Sequence, residues 1–168
     1  MAATTLPKTL SKIDNGTILR LEKLIHPIEL VMGKSFSWSP KENIVFADKN
    51  RLNQNEGLLA LFHEIGHALL KHKAYSSDVD LLLKEVAAWE KAKKLATKFS
   101  VKIDYEHIED CLDTYRDWLY RRSKCPNCGI NSLQTTPKEY ECINCAQKWQ
   151  VSSSRFCRSY RLTKIEQD

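Results

Sequence analysis

The sequence predicts an α+β protein, in which a mainly helical domain with a small antiparallel β-sheet is followed by a small β module. Three observations predict this: apolar residues recur at helical spacing in four segments, three short runs have strand character, and four of the six cysteines form two CxxC pairs. A chain of 168 residues can bury one ordinary core and add a small module that needs outside help to fold. We therefore divide it into a loose N-terminal segment at 1–16, a main domain at 17–122 and a cysteine-rich module at 123–168.

Apolar spacing predicts the first helix, and turn residues separate the strands that follow it. The helix is predicted over 17–25, where apolar residues recur at helical spacing until Pro27 ends the pattern. Three short strands are predicted next, at 28–31, 35–38 and 44–47. Turn-forming residues between the last two strands indicate an antiparallel hairpin or small sheet.

Three further helices are predicted after the sheet. The first begins with a capping-box-like pair, Asn53 and Glu56, and runs to about His72. An apolar face over 82–99 predicts the second helix, and Asp104 is placed to cap the third. These helices are expected to supply most of the core of the main domain.

The charge of the chain is unevenly distributed. Residues 116–168 carry ten Lys and Arg against five Asp and Glu, whereas residues 1–115 carry sixteen of each kind. The basic excess near the C-terminal end can attract an acidic partner, or it can simply solvate a small module.

The sequence carries no sign of export or of a membrane anchor. No apolar run approaches the length of a membrane span, and residues 1–8 lack the basic and then apolar pattern of a signal peptide. We therefore expect a cytoplasmic protein with no membrane partner. In a reducing compartment, CxxC pairs indicate a metal site rather than disulfides.

An HExxH pattern lies on the first of the three longer helices, at His63-Glu64-Ile65-Gly66-His67. Histidines four residues apart stand on one face of a helix, so both imidazoles can bind a single Zn²⁺ ion. Glu64 projects beside that face and can take a proton from zinc-activated water as it attacks a peptide carbonyl. Gly66 permits close approach beside the ligand face. The pattern predicts a catalytic zinc site that hydrolyses peptides, and the alternative is two solvent-facing histidines on a surface helix.

A catalytic zinc ion needs a third protein ligand and one open coordination position. The downstream candidates are His72, Asp78, Asp80, Glu85, Glu90 and His107. Glu85 is preferred because it lies on the apolar face of its helix, where a carboxylate is costly to bury unless it meets a charge such as Zn²⁺. The alternative is a half-exposed carboxylate paired with a lysine. His72 would lie about 140° round the helix from His67, so it could bind only if the helix broke first.

The string HEIGHALL and the downstream ExxAW segment resemble the ImmA/IrrE family of metallopeptidases over about residues 17–120. The resemblance implies a zincin-like core with gluzincin-type ligation, in which the zinc ligands and the catalytic base are His63, His67, Glu85 and Glu64. Several members cleave a DNA-binding repressor, so it also implies a protein substrate of that kind. Trp89 replaces the small polar residue that the family often has, and many members lack a C-terminal cysteine module.

The cysteine-rich module has two knuckles, which are formed by Cys125, Cys128, Cys142 and Cys145. The 13 residues between the knuckles match the spacing of a Cys₄ structural zinc ribbon. The metal would supply most of the folding free energy of so small a module. A redox CxxC would need a thioredoxin-like βαβ context, and the sequence around the cysteines lacks it.

Aromatic and basic residues alternate towards the C-terminal end, at Trp149, Arg155, Phe156, Arg158, Tyr160, Arg161 and Lys164. One interpretation is a nucleic-acid surface, where basic groups neutralise phosphates and aromatic rings stack on bases. The other is a strand that completes the ribbon. The sequence leaves these two alternatives open.

Together these observations predict a zinc metalloendopeptidase that acts on a protein or peptide substrate. One alternative is a SprT-like or Spartan-like DNA-associated protease, which uses a third downstream histidine that only His72 or His107 could supply. Another is a non-catalytic zinc-ribbon binding module on a degenerate peptidase scaffold. The presence of Glu64 favours an active enzyme, because a site that has lost its activity has no physical need for the catalytic base.

Overall fold

In the computed structural model of the chain, the described residues are 14–152 and 161–163, the last three by their backbone alone. These ranges contain four helices and seven strands, so the predicted α+β class is confirmed. The chain divides into two compact units. The first unit contains the residues up to Lys73 together with Lys84–Ile108, and the second contains Ala74–Leu83 together with the residues from Glu109 onwards. None of the described helices is both long and apolar enough to cross a membrane.

The first helix, α1, spans Asn15–Ile25 and begins two residues earlier than predicted. Asp14 caps it, because the Asp14 carboxylate accepts a hydrogen bond of 2.7 Å from the backbone N–H of Thr17. Leu21 and Ile25 are fully buried, as their helical spacing predicted. The rest of the predicted loose segment, residues 1–13, lies outside the described residues.

Three strands form a small mixed sheet, and they are β1 at Glu29–Gly33, β2 at Ser37–Ser39 and β3 at Ile44–Asp48. The strand order is β1-β3-β2, with β3 in the centre. The predicted hairpin of β2 and β3 is antiparallel, but β1 pairs with β3 in parallel, so the sheet is not antiparallel throughout. The chain reverses direction twice between β1 and β3, and these two strands therefore point the same way.

Helix α2 spans Asn55–Leu69 and packs its apolar face on β2 and β3. The predicted capping box at Asn53 and Glu56 is wrong: Gln54 is the N-cap residue, and its side chain makes no capping hydrogen bond. A turn precedes the helix, in which the backbone N–H of Gln54 bonds to the carbonyl oxygen of Arg51. The buried stripe of α2 is Leu58, Leu59, Leu61, Phe62 and Ile65.

Helices α3 and α4 span Asp78–Lys98 and Tyr105–Ser123. Helix α3 begins four residues before the predicted apolar face, and its first turn contains Asp78, the exposed Val79 and Asp80. Its buried apolar residues in the first unit are Ala88, Trp89, Ala92, Leu95 and Ala96.

In the second unit, four strands form an antiparallel sheet in chain order, and they are β4 at Leu133–Thr136, β5 at Glu139–Glu141, β6 at Lys148–Val151 and β7 at Arg161–Thr163. Tyr140 and Trp149 face each other across β5 and β6, with ring centroids 5.5 Å apart in a stacked arrangement. Both rings are buried with Cys125 and Cys142 in a small core.

A buried charged network also holds the second unit together. The carboxylate of Asp78 accepts hydrogen bonds from Arg122 Nε at 2.7 Å and from the Tyr140 hydroxyl at 2.6 Å. Trp149 Nε1 donates to the carbonyl oxygen of Arg122 at 3.0 Å. Asp78 and Arg122 are 2% and 1% exposed, so their charges are paired away from water. Burial and the bond to Asp78 raise the pKa of Tyr140, which therefore stays a donor.

Candidate functional site

Helix α2 presents the two histidines of the HExxH pattern on one face. His67 follows His63 by four positions, so the two side chains stand one turn apart. Their Nε2 atoms are 3.1 Å from each other. Their rings meet edge to face, with centroids 4.6 Å apart. His63 is buried and His67 is half-buried, so the alternative of two solvent-facing histidines is wrong.

Helix α3 brings Glu85 to the same point. Glu85 Oε2 lies 3.1 Å from His63 Nε2, and Glu85 Oε1 lies 3.5 Å from His67 Nε2. The carboxylate is only 6% exposed, so the half-exposed, lysine-paired alternative is also wrong. Two imidazole nitrogens and one carboxylate oxygen therefore converge from two helices.

The spacing of these three donors fits a zinc ion. Around a tetrahedral ion with donor distances of about 2.0 to 2.1 Å, neighbouring donors lie about 3.3 Å apart. The two Nε2 atoms of His63 and His67 are 3.1 Å apart, and they lie 3.1 Å and 3.5 Å from the Oε2 and Oε1 atoms of Glu85, on either side of that value. Imidazole and carboxylate donors suit zinc, and three protein ligands leave one position open.

Glu85 is held in its charged form by its neighbours. Burial raises the pKa of Glu85, but hydrogen bonds and charge from His63 and His67 outweigh burial, and the resulting pKa lies below the ordinary range. A buried carboxylate facing two imidazoles is an arrangement that a cation would complete.

Glu64 is half-buried on α2 and lies outside the donor group that His63, His67 and Glu85 form within the described residues. A position one residue along from His63 is rotated about 100° around the helix axis. Its side chain therefore leaves the helix in a different direction from that of His63, and its carboxylate is not one of the donors.

The other ligand candidates have different partners. Asp78 belongs to the buried network of the second unit. Asp80 accepts a hydrogen bond of 2.8 Å from the backbone N–H of Ser76. Glu90 is exposed and forms an ion pair with Lys93. His107 meets the ring of Trp89 edge to face, with centroids 6.2 Å apart. Among the described residues, none of these joins the histidine and Glu85 donors.

Two contacts at the site were not foreseen from the sequence. The ring of Trp89 stacks on His63, with centroids 4.3 Å apart and planes inclined by 32°. The signal for this contact was available, because Trp89 lies one helical turn after Glu85 on the same face. The ring of His72 contacts His67, with Nδ1 atoms 2.8 Å apart, and that contact depends on where α2 ends.

The four ribbon cysteines form the second donor group. The Sγ atoms of Cys125 and Cys145 are 3.8 Å apart, and those of Cys128 and Cys142 are 3.4 Å apart. Four thiolates at about 2.3 Å from a tetrahedral zinc ion would lie about 3.8 Å from one another. The sulfur atoms therefore fit a closed, structural zinc site.

The two knuckles have the same local geometry. The backbone N–H of Asn127 donates to Cys125 Sγ, and that of Asn144 donates to Cys142 Sγ, both at 3.4 Å. Each knuckle then turns through a residue of positive φ, Gly129 at 78° and Ala146 at 58°. Backbone N–H groups thus point at the sulfur atoms, as they do where a thiolate carries negative charge.

Hydrogen bonding also favours thiolate at part of this group. A hydrogen bond from the side chain of Ser132 lowers the pKa of Cys142 to about 6. The backbone of Ile130 lowers the pKa of Cys128, but the neighbouring Cys142 sulfur and burial raise it to about 11. Deprotonation of one thiol therefore makes deprotonation of its neighbour less favourable, because the two negative charges repel each other. A cation between the sulfur atoms would offset that repulsion.

The basic and aromatic segment near the C-terminal end is described only in part. Trp149 is 1% exposed inside the ribbon, so it cannot stack on a base, and its place in a nucleic-acid surface is wrong. Arg161 begins β7, which pairs with β6, as a strand completing the ribbon would. The remaining residues of that segment, Arg155, Phe156, Arg158, Tyr160 and Lys164, lie outside the described residues.

Two groups of side chains in the described ranges can therefore hold a metal ion: the His63, His67 and Glu85 group, and the four cysteines. Each consists of residues that were predicted as ligands. Comparisons of the chain with models of protein families, with curated proteins and with solved structures found no match.

Proposed function

We propose that the chain is a zinc-dependent metalloendopeptidase, with its catalytic ion held by His63, His67 and Glu85. The observation that carries the proposal is the convergence of these three donors from two helices, with Glu64, the residue next to His63, outside the donor group. Three ligands with one open position are typical of catalytic zinc sites, whereas structural sites use four.

The residues of the site have distinct roles in this proposal. Zinc bound there would polarise the substrate carbonyl and lower the pKa of a water molecule in the open position. The carboxylate of Glu64 takes the proton from that water and passes it to the leaving amine. Glu85 offsets part of the cationic charge and, being buried, keeps its oxygens aligned with the two imidazoles.

The proposed fold family and substrate rest on the sequence. We place the main domain with the zincin-like ImmA/IrrE metallopeptidases, on the strength of HEIGHALL and the downstream ExxAW segment. The corresponding substrate is a DNA-binding regulatory protein. Four ribbon cysteines would hold a second, structural zinc ion in the other unit.

The geometry favours this proposal over a SprT-like protease. That alternative requires a third histidine as ligand, and His107 stands against Trp89 instead of joining the donor group. Glu85 occupies the position that the third ligand needs. The glutamate-containing ligand set is therefore the better supported of the two.

Peptide cleavage tests the proposal directly. The zinc-loaded protein would be incubated with a proteome-derived peptide library, and new peptide termini would be identified by mass spectrometry. We expect one shared sequence pattern around the cleaved bonds, and a loss of about 10²-fold or more in rate for Glu64→Gln, which removes the base and keeps the ligands. Glu90→Gln, a change of the same chemistry at an exposed position, is the matched control.

Two results would contradict the proposal. Equal cleavage by Glu64→Gln would assign the activity to a contaminant or to another site. The wild type could also hold two zinc ions per chain and cleave no peptide in the library. That result would favour a non-catalytic zinc-ribbon binding module on a degenerate peptidase scaffold.

A further inference from the structure

His72 lies just beyond the end of α2, and its ring faces one of the proposed zinc ligands. Its Nδ1 atom is 2.8 Å from Nδ1 of His67, which is within hydrogen-bond distance. The two ring centroids are 5.0 Å apart, and the planes are inclined by 69°. His72 is therefore in direct contact with His67, on the side of the ring away from His63.

The backbone at the end of α2 places His72 there. Lys71 has a positive φ of 54°, which ends the helix. The N–H of Lys71 bonds to the carbonyl of Ala68 at 3.0 Å, and the N–H of His72 bonds to the carbonyl of His67 at 2.9 Å. These two bonds form a Schellman motif, which folds the chain back over the last helical turn. The reversal brings His72 over a residue that it could not reach within a continuous helix.

A second contact holds the same peptide from the other side. The indole N–H of Trp38, on β2, donates a hydrogen bond of 2.8 Å to the carbonyl oxygen of His72. The N–H and the carbonyl of His72 are thus both engaged, one by α2 and one by the sheet. The backbone of His72 is therefore held by the fold at a place from which its ring can contact His67.

The nitrogen that His72 contacts is the one that a metal would leave unused. Nε2 of His67 faces Nε2 of His63 and the carboxylate of Glu85. If Nε2 supplies its lone pair to zinc, the neutral ring carries its proton on Nδ1, and that N–H can donate to Nδ1 of His72. The partner of the second nitrogen is what selects the tautomer and the orientation of a ligating histidine.

We propose that His72 is a positioning residue, which fixes the tautomer and the ring orientation of His67 as a zinc ligand. This inference rests on the proposed zinc site and adds a residue to it. His72 does not bind the same ion, because its contact is with the opposite edge of the His67 ring. Its effect on zinc is transmitted through His67.

The other histidine ligand is held by a different device. Nδ1 of His63 is buried and has no hydrogen-bond partner among the described residues. The ring of His63 is instead stacked on Trp89. One ligand is therefore oriented by a hydrogen bond and the other by an aromatic face, so the loss of His72 should disturb His67 selectively.

A pair of substitutions of nearly equal shape tests the inference. His72→Asn keeps an acceptor close to the position of Nδ1, whereas His72→Leu has the same branching without an acceptor. Zinc affinity of the full-length protein would be measured by chelator competition. We expect His72→Leu to weaken the catalytic zinc about 10- to 100-fold and His72→Asn to restore most of the affinity. His26→Leu, at an exposed histidine of the same unit, should have no effect.

A spectroscopic signature separates positioning from general stability. In the zinc-loaded wild type, proton–nitrogen NMR correlations of the imidazoles should show His67 with its proton on Nδ1, protected from exchange by His72. That signal should disappear in His72→Leu and persist in His72→Asn. If the wild type shows no such protected Nδ1 proton, the inference is overturned even if both variants fail to fold.

The outcomes distinguish this inference from the proposed function. One zinc ion per chain in both the wild type and His63→Ala would remove the catalytic site and the proposed function with it. Two zinc ions in the wild type, with unchanged affinity in His72→Leu, would keep the site and overturn only the role of His72.

Discussion

Gly66 on α2 lies directly against the main chain of Ala88 on α3. A Cβ atom at position 66 would stand 2.5 Å from the carbonyl oxygen of Ala88, a separation that real Cβ atoms essentially never show. Ala88 follows Glu85 by three residues, and Gly66 precedes His67 directly. The missing side chain therefore sets the distance between the helices at the level of the donor group.

Gly66→Ala should separate α2 from α3 and weaken zinc binding by the donor group of His63, His67 and Glu85. The obstacle is backbone rather than a flexible side chain, so we expect a loss of about 1 to 3 kcal/mol of unfolding free energy, typical of an overpacked interior. Urea unfolding and zinc titration would measure the two effects. Gly16→Ala is the control, because a Cβ in that exposed turn of α1 meets nothing closer than 3.6 Å. Equal effects of the two substitutions would refute the proposed spacing role of Gly66.

The two donor groups should bind zinc independently. Elemental analysis should find two zinc ions per chain in the wild type, and one in either His63→Ala or Cys142→Ser, because each substitution removes a ligand from a different group. The double variant should hold none. One ion in the wild type that survives His63→Ala would mean that only the ribbon is loaded.

Glu85→Gln should lower the affinity of the first group for zinc and leave the ribbon zinc in place. The amide is a weaker ligand than a carboxylate and adds no negative charge, yet its shape is nearly the same. Zinc content after dialysis against a weak chelator would show the difference. Glu90→Gln, five residues along the same helix but exposed, should keep both ions. If His107→Ala rather than Glu85→Gln released the zinc, the ligand set would be the one expected of a SprT-like protease.

Asp78→Ala should destabilise the second unit strongly. It would leave Arg122 buried without its counter-ion, and breaking such a pair costs about 3 to 5 kcal/mol. The loss should appear as faster zinc release from the ribbon to a chromogenic chelator, together with an earlier urea transition. Asp113→Ala, which removes an exposed partner of Arg116, should change neither measurement. Unchanged zinc release in Asp78→Ala would show that the ribbon does not depend on the buried pair.

Local pattern was sufficient to predict the helices, but not to predict every helix start. The spacing of Leu21 and Ile25 predicted α1 to within two residues. The capping box at Asn53 and Glu56 was wrong, because the chain turns from Arg51 to Gln54 just before α2 and Gln54 is the N-cap residue. The carbonyl of Arg51 packs over the first turn of the helix, where a Cβ at Gly57 would lie 1.9 Å from it. The residue types in this segment do not by themselves predict that contact.

The sequence also did not predict that β1 and β3 pair in parallel. Alternating and β-branched residues predicted three strands within two residues of their observed bounds. The parallel pairing of β1 with β3 depends on which strand occupies the centre of the sheet. That choice is made by burial, since Val45 and Ala47 of β3 are fully buried.

The sequence by itself determined the parts of the two sites that lie within a few residues of one another. Helical geometry makes His63 and His67 neighbours at i and i+4, and each CxxC pair forms its own knuckle. Only the tertiary structure decided two other contacts: Glu85 meets the histidines across a long interval because Gly66 admits α3, and His72, five residues after His67, reaches it because α2 ends in a left-handed turn. The physical reason is that short-range geometry follows from backbone periodicity, whereas long-range contacts depend on how closely whole elements can pack.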